Sequence, residues 1–291
     1  MIKLRADRRK ERRRVRHALL VIGALVFCFV AAAAVVVWWL LGVYVPQNQE
    51  EGSSANSSVP AFTEQDRFVT LMVLHDAENA AFLLIDCDAA QTAIRTVAVP
   101  ANTVIELGTE QTTLQAIFDR QGHAKAGQAL SALLGQPIRY TAAVDQGAMV
   151  TVLDRAGSSI EYIFAEEITY KNAVGMQVRY REGERYSLSS SAVKDLLFYR
   201  QQSATERARL AAELFANLIC QKMTAPSRLS AIFGEYIDLI DSNISIADFV
   251  AVKQALEHLA RSNDGSIASA RLQSGECVTV GGEERYYCTV G

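Results

Sequence analysis

The chain has 291 residues, half of them apolar, and a net charge of −3. The nine basic and two acidic groups of the first sixteen residues hold about +7, so about −10 falls on the rest. An acidic remainder argues against nucleic acid or a polyanion as partner, and its length suits one large domain or two small ones.

Residues 18–45 carry no charged side chain. At about 1.5 Å rise per residue a helix of this length reaches about 42 Å, more than the roughly 30 Å hydrocarbon core of a bilayer. Trp38, Trp39 and Tyr44 stand near its far end, where amphipathic rings prefer the lipid–water boundary. Lys3, Arg5, Arg8, Arg9, Lys10, Arg12, Arg13, Arg14 and Arg16 precede it and hold residues 1–17 in the cytoplasm. A cleaved signal peptide has an apolar region only about half as long. The expectation is an uncleaved transmembrane signal anchor, single-pass in the cell membrane, with an extracytoplasmic C-terminal part. The basic head needs no partner beyond anionic membrane lipid.

Residues 46–66, polar and Ser-rich at first, read as a flexible linker. No second linker and no internal repeat follows, so 67–291 reads as one domain. Apolar, β-branched runs over 68–74, 81–85 and 94–99 predict strands. Leu114, Ile117 and Phe118, then Leu130, Leu133 and Leu134, lie at helical spacing and predict helices over 112–120 and 124–134. Gly135 and Pro137 stop the second. A strand over 138–144, a helix over 148–155 closed by Gly157 and a strand over 160–164 come next. The Arg-, Glu- and Tyr-rich segment 169–187 reads as an exposed loop. Helices follow over 190–200, 205–223, 227–240 and 246–261. Strands and helices mixed in this way imply an α/β domain with a central mixed sheet flanked by helices.

The tail from Cys277 to Cys288 reads as a hairpin with 281–284 as its loop. Pairing Val280 with Arg285 puts Cys277 opposite Cys288, at the separation a disulfide needs, and an exterior compartment permits the bond. Two free buried thiols are the other reading. Cys28 falls in the apolar span, and Cys87 and Cys220 read as core residues. No zinc spacing is present. His17, His75, His123 and His258 sit in no ligand or nucleophile pattern; His75 beside Asp76 is a bare acid–base hint. Asp86 and Asp88, at a strand end, read as turn residues. No nucleophile elbow or phosphate-binding glycine loop occurs.

Several pieces in order carry a resemblance. Ile85-Asp86-Cys87-Asp88 leads into a strand ending at Pro100. A helix follows over 112–122, then the Leu133-Leu134-Gly135-Gln136-Pro137-Ile138-Arg139-Tyr140 turn, a helix over 146–157 and another over 192–200. From residue 67 onward this order, with the anchor, resembles the LytR-CpsA-Psr (LCP) family of bacterial envelope proteins. The resemblance implies transfer of glycopolymers such as teichoic acid or capsule from a polyprenyl-pyrophosphate carrier to peptidoglycan. Such chemistry uses acids to hold a divalent metal such as Mg²⁺ and arginines to neutralise the pyrophosphate.

The chain departs from the family where that chemistry would sit. Glu78 and Ala80 replace the arginine and aspartate of one motif; Ala101 and Asn102 replace those of a Pro-Arg-Asp turn. Gln202 replaces the second arginine of an Arg-x-Arg pair whose first is Arg200, and Arg207 or Arg209 stands for a further arginine. Asp76 is the candidate metal acid. Five such losses point to a fold kept without its reaction, binding a polyprenyl-(pyro)phosphate glycolipid, peptidoglycan or a partner. Arg200, Arg207 and Arg209 would then line the phosphate side, unless they are solvated positions paired with Asp195, Glu206 or Glu213. The alternative is an active Mg²⁺-dependent phosphotransferase with rearranged groups.

Overall fold

The apolar runs form the strands of one six-stranded mixed sheet. The computed structural model describes residues 62–289, apart from 158, 173, 200 and 201. The basic head, the span over 18–45, Cys28, the linker as far as residue 61 and Arg200 therefore lie outside the described residues. Among the described residues no helix is long and apolar enough to cross a membrane.

In chain order the elements are β1 (Phe68–His75), β2 (Ala80–Asp88), β3 (Ala93–Val99), β4 (Val104–Leu107), β5 (Glu110–Thr113), α1 (Leu114–Leu134), β6 (Tyr140–Asp145), α2 (Gln146–Arg155), β7 (Ser159–Ile163), β8 (Ile168–Lys171), β9 (Gln177–Tyr180) and β10 (Arg185–Ser189). Then come α3 (Ser190–Phe198), α4 (Ala204–Lys222), α5 (Leu229–Tyr236), β11 (Asp241–Ser242), α6 (Ile246–Arg261), β12 (Ala268–Leu272), β13 (Gly275–Val280) and β14 (Glu283–Cys288). The sheet order is β11-β6-β1-β2-β3-β12, with β6 parallel to β1, β12 parallel to β3 and the other pairs antiparallel.

Period-two alternation decides which helix covers which face. Leu71, Val73, Phe82 and Leu84 pack with Leu114, Ile117 and Leu130 of α1. Leu74, Leu83 and Val144 face the other way, against Met149 and Leu153 of α2, Leu196 of α3 and Leu214 of α4. Phe68, Ile85 and Ile94 extend that second layer to Val252 and Leu259 of α6.

α1 breaks at Gly122 (φ 77°, ψ −179°), a conformation essentially confined to glycine, which gives the two helical segments the sequence predicts. Its second segment comes so near the sheet that a Cβ on Gly127 would lie 2.5 Å from Thr141 Cγ2. Thr141 is β-branched and buried, and its Oγ1 is held by His123 at 2.9 Å, so it has little room to yield. Gly127→Ala is expected to cost about 1–3 kcal/mol in denaturant unfolding.

Three expectations need correction. The segment 169–187 is not an open loop: β8 pairs with β9, and β10 with β7. Tyr162, Phe164, Tyr170 and Tyr180 from these hairpins are buried, and the Phe164 and Tyr180 rings stack at 4.5 Å. The helix expected over 227–240 is divided into a 3₁₀ turn at Pro226–Arg228, α5 and a second 3₁₀ turn at Ile237–Leu239.

The third concerns the cysteine hairpin. Gly281 and Gly282 both take positive φ (64° and 88°) and close a two-residue turn, so Val280 pairs with Glu283 and the register moves by two residues. Cys277 then faces Tyr286, and Cys288 faces Gly275. The two cysteines become diagonal neighbours, about 7–8 Å apart in a regular ladder, too far for a bond with a Cα span of roughly 4.4–6.8 Å. Both are free thiols, and Cys277 is exposed rather than buried. Burial, helped by the Asp86 charge, pushes the Cys87 thiol up to about 12. A thiol reagent at mildly alkaline pH is expected to modify Cys277 in the native protein and Cys87 only after unfolding; mass mapping that finds Cys277 protected until reduction would restore the disulfide.

Candidate functional site

Asp76, Glu78, Ala80, Ala101 and Asn102 meet at one end of the sheet, around the β1–β2 turn, the turn after β3 and the first residues of α1. Asp76 shapes the first turn. Its Oδ1 accepts from the Glu78 and Asn79 amides at 2.8 and 2.7 Å, while its own amide donates to Asn79 O at 2.9 Å. Gln115, near the start of α1, links the two turns: its Oε1 accepts from the Ala80 amide and its amide donates to Ala101 O, both at 2.9 Å. Ala80 and Ala101 are buried. Asn102 Nδ2 donates to Glu284 O at 3.0 Å, docking the C-terminal hairpin. Gln115 thus brings Ala80 and Ala101 together, with Glu78 and Asn102 beside them, and what these four offer there is two methyls, an amide and a negative charge.

The arginines have diverged in environment. Arg207, on the core face of α4, is only 4% exposed; its Nε donates to Leu197 O at 3.0 Å and its Nη2 to Gln202 O at 3.4 Å. Burial lowers its pKa, with the Asp76 charge opposing. It thus fastens the end of α3 to the start of α4. Arg209 points away from the core and pairs with Glu166 and, at 3.7 Å, with Glu213, as the ion-pair reading expects. Asp195 pairs instead with Lys194, at 3.4 Å. Gln202 is buried, and Arg200 lies outside the described residues.

Three cavities border this region. One, of about 720 Å³, is lined by His75, His123, Asp76, Asp119, Asp145 and Asp241 among others. The His75–Asp76 hint does not become a dyad, because His75 Nδ1 lies 3.3 Å from the Asp76 carbonyl oxygen while the carboxylate serves the turn. His123 instead sits between Thr141 and Asp241, with Nε2 3.4 Å from Asp241 Oδ1. Among the described residues no three His, Cys, Asp or Glu side chains gather as a metal shell. With Asp76 Oδ1 and Asp145 Oδ1 already committed to backbone amides, the donor set does not fit a divalent cation as arranged.

The second cavity, about 170 Å³, lies between the sheet and α2, α3 and α4 and is walled by apolar side chains including Leu74, Val144, Leu153, Leu197, Ala211 and Leu214. The third, about 200 Å³, is bordered by Tyr162, Tyr199, Gln202, Glu206 and Arg209. Sequence reasoning missed the aromatic hairpins packed beside it. The signal was the alternation of Tyr170 with Thr169 and Lys171 in β8, and of Val178 and Tyr180 with Gln177 and Arg179 in β9.

Solved structures share this arrangement. A protein of Eubacterium siraeum named for transcription regulation superposes with a TM-score of 0.65 at 20% identity, over 84% of this chain and 92% of its own. Bacillus subtilis TagV gives 0.61 at 15% identity, over 76% and 90%. TagT of the same organism gives 0.58 at 14%, over 84% and 93%. TagV and TagT are LCP proteins. The fold is LCP-like. No protein-family model matches the sequence, and no curated protein matches it. At such identities an LCP-like fold carries its architecture to this chain, and function has to be argued from the site.

Proposed function

We propose that this is a membrane-anchored, extracytoplasmic cell-envelope protein that holds a polyprenyl-phosphate glycolipid or a related wall ligand without transferring it. The apolar cavity between the sheet and α2–α4 carries the reading. Its 170 Å³ is close to the roughly 150 Å³ of a dry cavity that takes up benzene, so it suits a stretch of isoprenoid and not a sugar. A solved TagT structure is bound to LIIa-WTA, which gives the LCP-like fold a precedent for such a ligand. The uncharged run 18–45 and its basic head support placement at the membrane. Arg200 is the remaining candidate for the phosphate.

Transfer is left out because the groups it needs are gone or committed. Glu78 would repel a pyrophosphate, Ala80 and Ala101 bring no charge, and Asp76 is bound into its turn. The alternative, an active Mg²⁺-dependent phosphotransferase, would require the carboxylates of Asp76, Asp119, Asp145, Asp238 and Asp241 around the largest of the three cavities to regroup about a cation.

The full chain in nanodiscs, offered a polyprenyl-pyrophosphate glycolipid beside an active LCP transferase, is expected to bind it saturably and release no polyprenyl product with or without Mg²⁺. Mg²⁺-dependent cleavage would decide for the alternative. Ala211→Leu fills the apolar cavity and is expected to weaken glycolipid binding about tenfold, because the added methylenes take the space of the tail. Unchanged binding in that variant would move the lipid elsewhere.

A further inference from the structure

The cavity beside β7 and the start of α4 has a chemistry opposite to that of a phosphate site. Glu166, Glu167, Glu206 and Glu213 border it. Arg209 answers Glu166 and Glu213, Arg179 answers Glu167 at 2.6 Å, and Arg207 lies behind the wall on Gln202 O, so four carboxylates meet three guanidinium groups among the described residues. Glu206 commits Oε2 to the Ser203 amide and hydroxyl, at 3.1 and 3.0 Å. Gln202 lines the same cavity, is 7% exposed, and its buried Oε1 has no hydrogen-bond donor among the described residues. A buried acceptor in that state is open to an N–H or O–H from a ligand or a bound water. Surplus negative charge selects a cationic donor, and the rings of Tyr162, Phe164 and Tyr199 in the wall favour a cation further.

We propose that this cavity binds a primary ammonium group on a short alkyl chain, which donates to Gln202 Oε1 and pairs with Glu206. The site is independent of the lipid reading, since the two cavities share no lining residue. Its position gives the substitution at Gln202 a meaning. The residue that stands for a family arginine supplies an acceptor, which suits a cationic donor in this cavity. An amine of this kind occurs on a peptide side chain or on a lipid headgroup, and the chemistry is the same.

The test uses the full chain in phosphatidylcholine nanodiscs, titrated calorimetrically with butylammonium and with 1-butanol. Butylammonium is expected to bind saturably and 1-butanol not at all. Glu206→Gln keeps the capping box with Ser203 and so should leave the melting temperature unchanged while weakening butylammonium about tenfold. Gln202→Leu is expected to weaken it similarly. Equal binding of the two probes, no saturable binding of butylammonium, or unaltered affinity in both variants would overturn the proposal. So would binding that emerges only in Arg200→Ala, which would assign the carboxylates to that side chain. Competition by a lysine amide or by phosphatidylethanolamine in the disc supports the site in either case and tells a peptide source from a lipid one.

Discussion

Asp86→Ala is expected to destabilise the protein by about 3 kcal/mol, the lower part of the range for breaking a buried ion pair. Asp86 lies within β2, directly opposite Arg95 of β3, and its side chain is 5% exposed. Oδ1 accepts from Arg67 Nε and Oδ2 from Arg67 Nη2, both at 2.8 Å, and Arg95 Nη1 adds a third contact at 3.1 Å. Arg95 also reaches Asp88, at 3.7 Å. The carboxylate is the buried partner; the guanidinium groups are 42% and 28% exposed and can rehydrate when it is removed, which keeps the loss from the top of the range. At about 2–4 °C per kcal/mol for a domain of this size, the melting temperature should fall by about 10 °C. Arg67→Ala should cost only about 1 kcal/mol, because Arg95 still answers the carboxylate. A loss below about 1 kcal/mol in Asp86→Ala would show that the fork does not hold the first strand to the sheet.

Asp86 also marks where the sequence becomes illegible. Beside Asp88 at the end of an apolar run it reads as a turn residue, because its partners come from β1's first flank and from the next strand. Periodicity reports burial and says nothing of such pairings. Where the signal is local, the reading succeeds: α6 spans the predicted 246–261, since Ser245 and Asp248 form a capping box ahead of the apolar stripe Phe249, Val252, Leu256 and Leu259. Where two effects compete, it fails. Thr169, Lys171, Arg179 and Arg181 made 169–187 look solvated, although Tyr170 and Tyr180 alternate with them and pack inward. The cysteine register failed because Gly-Gly closes the hairpin in two residues rather than four. At the candidate site, chain order gave the places of Glu78, Ala80, Ala101 and Asn102. The hydrogen bonds of Ala80, Ala101 and Asn102 depend on Gln115 and Glu284, farther along the chain.

Arg207 is the position where that argument has its largest consequence. With Leu210, Ala211 and Leu214 it occupies one stripe of α4 at helical spacing, so it is buried rather than solvated as one sequence reading expects; Arg209 falls off the stripe, beside Glu213. Arg207→Ala is expected to cost about 2–4 kcal/mol, because Leu197 O and Gln202 O lose their donors and the aliphatic stem leaves a void. Arg207→Met refills the void and removes a charge that burial already disfavours, so its stability should stay within about 1.5 kcal/mol of the parent. The pair separates a strut from a ligand arm. A strut predicts a large fall in melting temperature for Ala, a small one for Met, and glycolipid affinity in Met within about threefold of the parent. A Met variant of parental stability that loses more than about tenfold in glycolipid affinity would put the guanidinium against the phosphate instead. The geometry favours the strut, since two of the guanidinium nitrogens already serve backbone carbonyls.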